Sequence, residues 1–128
     1  MRFLLDTHVF LWWLFDSPRM SAAQRNIIAD PSNQILVSAG SVWEIATKFR
    51  LGRLPEAAEF MTDVEAWIER TGFTELPVTA AHAAKAGAWL NDHRDPFDRM
   101  LAAQSVLENV ALCTNDSAFS LFGIRVIN

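Results

Sequence analysis

The sequence predicts an α/β protein in which helices cover both faces of a short parallel sheet of four to five strands. Short apolar segments, typical of strands, alternate with longer segments that have helical periodicity. The strand segments are apolar at successive positions, which is typical of strands buried on both faces. Because helices separate these segments, neighbouring strands are expected to run parallel, in a three-layer sandwich.

The predicted strands are short, and turn-forming or helical segments bound each of them. The second, for example, follows the turn sequence Asp30-Pro31-Ser32-Asn33. We predict strands at Phe3–Leu5, Ile35–Val37, within Phe73–Val78, at Val110–Cys113 and, more weakly, at Ile124–Val126.

Capping residues and helix breakers define the predicted helices. Ser21 and Gln24 have the spacing of a capping box, which begins a helix through about Ala29. Asp95-Pro96 has the pattern of an N-cap followed by proline in the first turn. The other predicted helices are Val9–Phe15, Val42–Leu51 after Ser41, one from Pro55 to Thr71, one over 80–90 after Thr79, and a short one after Asn115.

Length and composition limit the possible classes of protein. With 128 residues, 51% of them hydrophobic, the chain is expected to form a single domain over residues 1–128. Its longest wholly apolar run, Val9–Phe15, is far shorter than the ~20 residues that cross a membrane. No signal-peptide pattern is present, and Cys113 is the only cysteine, so we expect a cytoplasmic protein without disulfides.

Four acidic residues are expected to meet at the carboxyl-end edge of the sheet. Asp6 follows the first predicted strand, Asp116 follows the fourth, and Glu44 and Asp98 lie in the first turns of predicted helices. Ligands of open parallel sheets bind at this edge. Each acid also has a purely structural interpretation, because all four positions suit helix caps or first turns, and Ser41 with Glu44 has capping-box spacing.

Four converging carboxylates repel one another unless a cation lies between them, and oxygen ligands suit Mg²⁺ or Mn²⁺. The net charge of −4 argues against nucleic-acid binding, but without these four acids it is −4 + 4 = 0. Lys48, Arg50 and Arg53 are candidates for binding RNA phosphates or for an ordinary solvated helix face. Thr7 and Thr114 are candidates for orienting the carboxylates or for ordinary turn hydrogen bonds.

Four segments carry a resemblance to a known family. "LLDTHVFLWWL", "SAGSVWEIATKFRLGRLP", "HRDPFDRMLAAQS" and "LCTNDSAF" stand in the order seen in PIN-domain ribonucleases, and the chain most resembles the VapC-type toxins of toxin–antitoxin pairs. The resemblance implies a PIN-like (flavodoxin-like) fold and a metal-dependent endoribonuclease. It also implies a homodimer that acts on RNA, is inhibited by a cognate VapB-like antitoxin and has no membrane partner.

The same resemblance assigns the site residues. Asp6, Glu44, Asp98 and Asp116 match the family's four catalytic acids in order. Asp6, Asp98 and Asp116 are expected to bind Mg²⁺ or Mn²⁺, and Glu44 to complete the metal shell or hold the attacking water.

Two other functions stay open at this point. A receiver-like Mg²⁺-binding signalling domain shares the α/β sheet and the acidic pocket, but it requires a phosphate-accepting Asp after the third strand, and the chain has none there. A catalytically inert interaction module with the PIN fold is the second alternative. The adjacent Trp12 and Trp13 are either core residues or contacts for a partner.

Overall fold

Five parallel strands form a single sheet in the computed structural model, which describes residues 1–128. The strand order is β3-β2-β1-β4-β5, so the first strand lies at the centre. The strands are β1 (Arg2–Leu5), β2 (Gln34–Ser38), β3 (Thr74–Leu76), β4 (Ala111–Cys113) and β5 (Val126–Ile127). The predicted parallel sheet is confirmed. Its order differs from the 2-1-3-4-5 order of receiver domains, which argues against the signalling alternative.

Seven α-helices connect or flank these strands, together with two 3₁₀ segments at Pro55–Ala57 and Ser117–Phe122. The helices are α1 (Thr7–Leu14), α2 (Ala22–Ala29), α3 (Ala39–Arg50), α4 (Ala58–Thr62), α5 (Val64–Thr71), α6 (Ala80–Ala88) and α7 (Pro96–Leu107). None is long and apolar enough to cross a membrane.

The core has two parts, one on each face of the sheet, which confirms the three-layer prediction. Phe3 and Leu5 of β1 pack with side chains of α1 and α3 on one face. Leu4 points to the opposite face, where it packs with Leu101 of α7. Side chains alternate between the two faces along a strand, so a strand that is apolar at every position contributes to both parts of the core.

Several predicted boundaries were wrong. The helix expected from Pro55 to Thr71 is divided, because Asp63 leaves helical geometry and accepts a hydrogen bond from the N–H of Ala66 as the N-cap of a new helix. The last strand lies at Val126–Ile127 instead of Ile124–Val126. The third helix begins at Ala39 instead of Val42, a difference that affects the candidate site.

Candidate active site

Asp6 lies at the centre of the carboxyl-end edge, directly after β1. Its backbone N–H donates to the carbonyl of Cys113 at 2.9 Å, which joins it to the end of β4. One carboxylate oxygen caps α1 through the N–H of His8, and the other accepts a 2.5 Å hydrogen bond from the hydroxyl of Thr114. Asp6 is therefore both a helix cap and a buried carboxylate held in one orientation.

Glu44 lies on the second helix turn of α3, because that helix begins at Ala39 with Ser38 as its N-cap. The prediction of a Ser41–Glu44 capping box is therefore wrong. Ser41 instead accepts a hydrogen bond from the hydroxyl of Thr7, so Thr7 contacts Ser41 and not a carboxylate. Glu44 is only 3% exposed, and it has no capping role to explain its burial.

Lys48 neutralises Glu44 from the next turn of the same helix. Its Nζ lies 2.5 Å from Glu44 Oε2, and the Lys48 side chain is partly exposed. Arg50 and Arg53, the other predicted phosphate ligands, are both exposed. Residues two positions apart on a helix do not share a face, so Lys48 and Arg50 point in different directions. Of these three bases, Lys48 is the one that contacts a site carboxylate.

Asp98 is the third acid, in the first turn of α7. The helix is capped by Asp95, which accepts hydrogen bonds from the N–H groups of Phe97 and Asp98, as predicted. The Asp98 side chain therefore has no capping role, and its Oδ2 lies 2.8 Å from Nε2 of His93.

The charge environment of Asp98 shows which acids share the crevice. Burial raises the pKa of Asp98 to about 6; the hydrogen bond from His93 opposes this rise, and the charges of Asp95, Asp6 and Glu44 add to it. Asp98 thus lies within electrostatic reach of Asp6 and Glu44. The structure brings together three of the four predicted acids, from β1, α3 and α7.

Asp116 is the exception. It is exposed, and its carboxylate accepts a hydrogen bond from the N–H of Ala118, which caps the 3₁₀ segment. Its own N–H donates to the hydroxyl of Thr114, which in turn donates to Asp6. Asp116 is joined to the other acids through Thr114 and lies at the rim of the crevice.

Two histidines at this edge were not predicted as site residues. His8 Nδ1 lies 3.8 Å from Asp6 Oδ1, and interaction with this carboxylate raises the pKa of His8 while burial opposes the rise. His93 contacts Asp98. His82, which lies on α6 away from these acids in sequence, is buried and contacts Glu108. The loop before Asp95-Pro96 folds His93 back over α7, and no sequence periodicity predicts such a contact.

Arg99 holds that loop in place. Its guanidinium donates to the carbonyls of Ala86, Trp89 and His93 and to the side-chain oxygen of Asn91. These four bonds tie the end of α6 and the following loop to α7. A planar guanidinium with five N–H donors suits this arrangement of several acceptors.

The carboxylates suit a divalent cation by their chemistry, but they are not arranged around one point. No group of three or more His, Cys, Asp or Glu side chains is placed to hold a metal ion. Each buried carboxylate instead has its own partner: Thr114 for Asp6, Lys48 for Glu44 and His93 for Asp98. All three acids supply oxygen ligands, and their mutual repulsion is the kind that a cation relieves.

Comparison with known proteins identifies the family. The PIN domain family model matches residues 3–124. The chain is 41% identical over 71 residues to Ribonuclease VapC16 of Mycobacterium tuberculosis (strain ATCC 25618 / H37Rv), an alignment that covers 52% of this chain and 50% of that protein. The alignment thus spans about half the length of this curated relative.

Solved structures share the fold. A chain in the crystal structure of VapBC2 from Rickettsia felis, bound to a promoter DNA fragment, is similar with a TM-score of 0.70 and 15% identity, covering 100% of this chain and 98% of that one. A chain of VapBC-1 from nontypeable Haemophilus influenzae gives a TM-score of 0.67 and 16% identity, with the same coverage. The sequence match and the shared architecture agree: this chain belongs to the PIN domain family.

Proposed function

We propose that the protein is a metal-dependent endoribonuclease and the toxin of a toxin–antitoxin pair in the cytoplasm. The observation that carries the proposal is the convergence of Asp6, Glu44 and Asp98, all buried or half-buried, from three separate elements at one edge of the sheet. Burying three acids near one another is unfavourable for folding, so the arrangement calls for a chemical role. The match to a ribonuclease supports the hydrolysis of RNA phosphodiester bonds.

Asp6 and Asp98 would hold Mg²⁺ or Mn²⁺, with Asp116 contributing from the rim. When bound, the ion activates water and stabilises charge on the phosphate oxygens. Glu44 would complete the shell or accept a proton from the attacking water. Thr114 would keep the Asp6 carboxylate in position, because it donates a hydrogen bond to one Asp6 oxygen while the other accepts from the N–H of His8.

Without a bound ion, Lys48 and His93 are the side-chain partners of two of the acids. Lys48 neutralises Glu44, and His93 hydrogen-bonds Asp98. With a cation held by these carboxylates, the Lys48 ammonium would be available to a substrate phosphate. Arg50 and Arg53 extend this positive charge outside the crevice and are proposed as weaker RNA contacts.

A cleavage assay on single-stranded RNA tests the proposal directly. Wild-type protein with Mg²⁺ or Mn²⁺ should cleave, and EDTA should abolish cleavage. Asp6→Asn and Asp98→Asn should each lose at least ~100-fold in rate, since even changes to residues that support metal ligands cost this much. The matched control is Asp95→Asn, which keeps a good N-cap and should be mild.

The outcomes separate the alternatives. If the wild type cleaves none of the RNAs tested, with or without metal, the inert PIN-fold module is favoured. Loss of cleavage in Asp95→Asn but not in Asp98→Asn would overturn the assignment of the third acid.

We also propose a VapB-like antitoxin as a partner and a homodimer as the active assembly. An open groove of about 470 Å³ extends from His8, beside Asp6, past Trp12 to Phe15, Leu54 and Glu56. It offers an apolar anchor for a peptide segment next to the acidic crevice. A basic side chain of that segment would reach Asp6 and Asp116 and compete with the metal.

Trp12 and Trp13 provide a matched pair for testing the partner. Trp12 lines the groove, whereas Trp13 packs against Phe73, with ring centroids 6.1 Å apart. Trp12→Ala should weaken binding of the neighbouring gene's product at least tenfold in calorimetric titration, with near-native melting. Trp13→Ala should mainly lower the melting temperature. Undiminished affinity in a natively melting Trp12→Ala variant would refute the groove but leave the nuclease proposal intact.

A further inference from the structure

An exposed aromatic pair borders the acidic crevice. Trp43 is 60% exposed, the most exposed aromatic side chain of the protein, and its ring meets that of Phe97 edge to face at a centroid distance of 4.7 Å. Trp43 directly precedes Glu44 in α3, and Phe97 directly precedes Asp98 in α7. The two aromatic residues are therefore the immediate chain neighbours of two of the three converging acids.

Core packing does not explain this pair. Neither Trp43 nor Phe97 belongs to the core on either face of the sheet. The pair lies one helix turn from the contact of Gly40 with Met100, on the same side of α3 and α7. Phe97 covers part of the indole, and most of the remaining surface of Trp43 stays in water. The exposed indole therefore offers a flat apolar face to a ligand.

The charge of the site indicates what kind of contact this is. The acids and the net charge of −4 oppose RNA phosphates, and only Lys48, Arg50 and Arg53 are proposed to attract them, so attraction that does not depend on charge would add to substrate affinity. Stacking of an unpaired base on an aromatic ring provides such attraction and tolerates any base. We propose that Trp43, supported by Phe97, stacks a nucleobase of single-stranded RNA and so positions the adjacent phosphate at the acids. This inference rests on the proposed nuclease function.

The proposal makes Trp43 a positioning residue for substrate and not a catalytic group. Removing the indole should therefore raise the KM and the Kd for RNA while leaving kcat within a few-fold. Phenylalanine at this position keeps a smaller ring and should recover part of the affinity, whereas leucine keeps apolar bulk without an aromatic face. Duplex RNA, whose bases are already stacked, should not benefit from Trp43.

The test compares Trp43→Leu, Trp43→Phe and the control Leu107→Ala, which removes another exposed apolar side chain, 45% exposed, at the end of α7 opposite Asp98. Binding of a 12-nucleotide RNA is measured in EDTA, so that no cleavage occurs. The RNA is then replaced by a series in which each nucleotide in turn lacks its base. Molar mass in solution and thermal melting are measured for every variant.

We expect the wild type to lose about 5- to 150-fold in affinity at one abasic position, the range for a single stacked base. Trp43→Leu should bind the intact RNA more weakly by a similar factor and show no further loss at that position. Trp43→Phe should lie between the two proteins, and Leu107→Ala should match the wild type.

Three results would overturn the inference. The first is intact-RNA affinity and abasic sensitivity in Trp43→Leu equal to those of the wild type. The second is a Trp43→Leu variant whose molar mass in solution is half that of the wild type and whose sensitivity to abasic RNA is unchanged. Trp43 and Phe97 would then form a contact between copies of the chain. The third is an equal loss of affinity in Leu107→Ala. The nuclease proposal fails separately, if the wild type binds RNA with the expected abasic signature but cleaves none with metal.

Discussion

Asp98 illustrates how a single side chain joins stability to chemistry. Its pKa is raised from 3.8 to about 6, first by burial and further by Asp95, Asp6 and Glu44. An acid with a raised pKa in the folded state favours folding while it is protonated. That contribution is complete below pH 3.8 and is lost as the pH rises through about 6. Near neutral pH the ionised Asp98 therefore destabilises the metal-free fold.

Because ionised Asp98 lowers the free energy of unfolding, we make a prediction for Asp98→Asn in EDTA. At pH 7.5 the variant should melt above the wild type, by roughly 3–6 °C for about 1 kcal/mol. The advantage should shrink as the pH falls from 6 towards 4, because wild-type Asp98 then takes up a proton. Melting curves across this range check the effect. A variant that melts lower at pH 7.5, or an offset independent of pH, would contradict the prediction.

Single residues also show where prediction from sequence succeeds and where it does not. Asp95 could be recognised as the N-cap, because an Asp-Pro pair is a local signal. The assignment of Asp98 as a site acid stays a prediction, supported by the absence of a capping role for its side chain. Ser41 and Glu44 have equally good capping-box spacing, but Ser38 begins the helix one turn earlier. His93 depends on a loop held by Arg99, and loop conformations leave no periodic pattern in a sequence.

At the scale of elements, the packing of α3 against α7 fixes the distance between Glu44 and Asp98. A β-carbon at Gly40 would lie 3.2 Å from Ser38 Oγ and 3.3 Å from Met100 Cγ, both tighter than ordinary contacts. Gly40 therefore lets the two helices approach, and the Ser38 hydroxyl that caps α3 is part of the same contact.

Two glycine substitutions, one at this contact and one outside it, test the packing by comparison of their effects on stability. Gly87→Ala, in α6, meets no atom within 4 Å and should stabilise the protein by about 0.5–1 kcal/mol, the usual helix preference for Ala over Gly. Gly40→Ala should show no such gain and should instead destabilise, because the cap and Met100 must move. Urea unfolding measures both. Equal stabilisation by the two substitutions would show that Ser38 and Met100 shift to accept a β-carbon at Gly40 at little cost in stability.

Elements were predicted best where one strong local signal decides them. The central strands are apolar at successive positions, and Asp95-Pro96 marks the start of α7, so both were found. The helix break at Asp63 comes from a local N-cap that the apolar periodicity across it did not reveal, whereas the position of β5 depends on tertiary contacts. β5, for example, pairs only with β4, and it is too short for its own pattern to fix its position.

For the whole molecule, the three acids make metal binding and folding interdependent. If Mg²⁺ or Mn²⁺ binds the folded crevice, stability should rise by about 2.7 kcal/mol at a concentration 100 times the Kd. The melting temperature should rise accordingly in the wild type. In the Asp6→Asn/Asp98→Asn double variant the increase should be much smaller. Equal increases in both proteins would mean that the ions bind elsewhere.

The central position of β1 has a consequence for the timing of synthesis. The carboxylate of Asp6 is made first, but the hydroxyl that orients it belongs to Thr114, 108 residues later. At ~5–20 residues per second, translation separates the two by roughly 5–20 s. A ribosome-bound chain therefore carries Asp6 without its partner for most of its synthesis. If the proposed nuclease activity requires Asp6 to be oriented by Thr114, that activity would begin only when the chain is nearly finished.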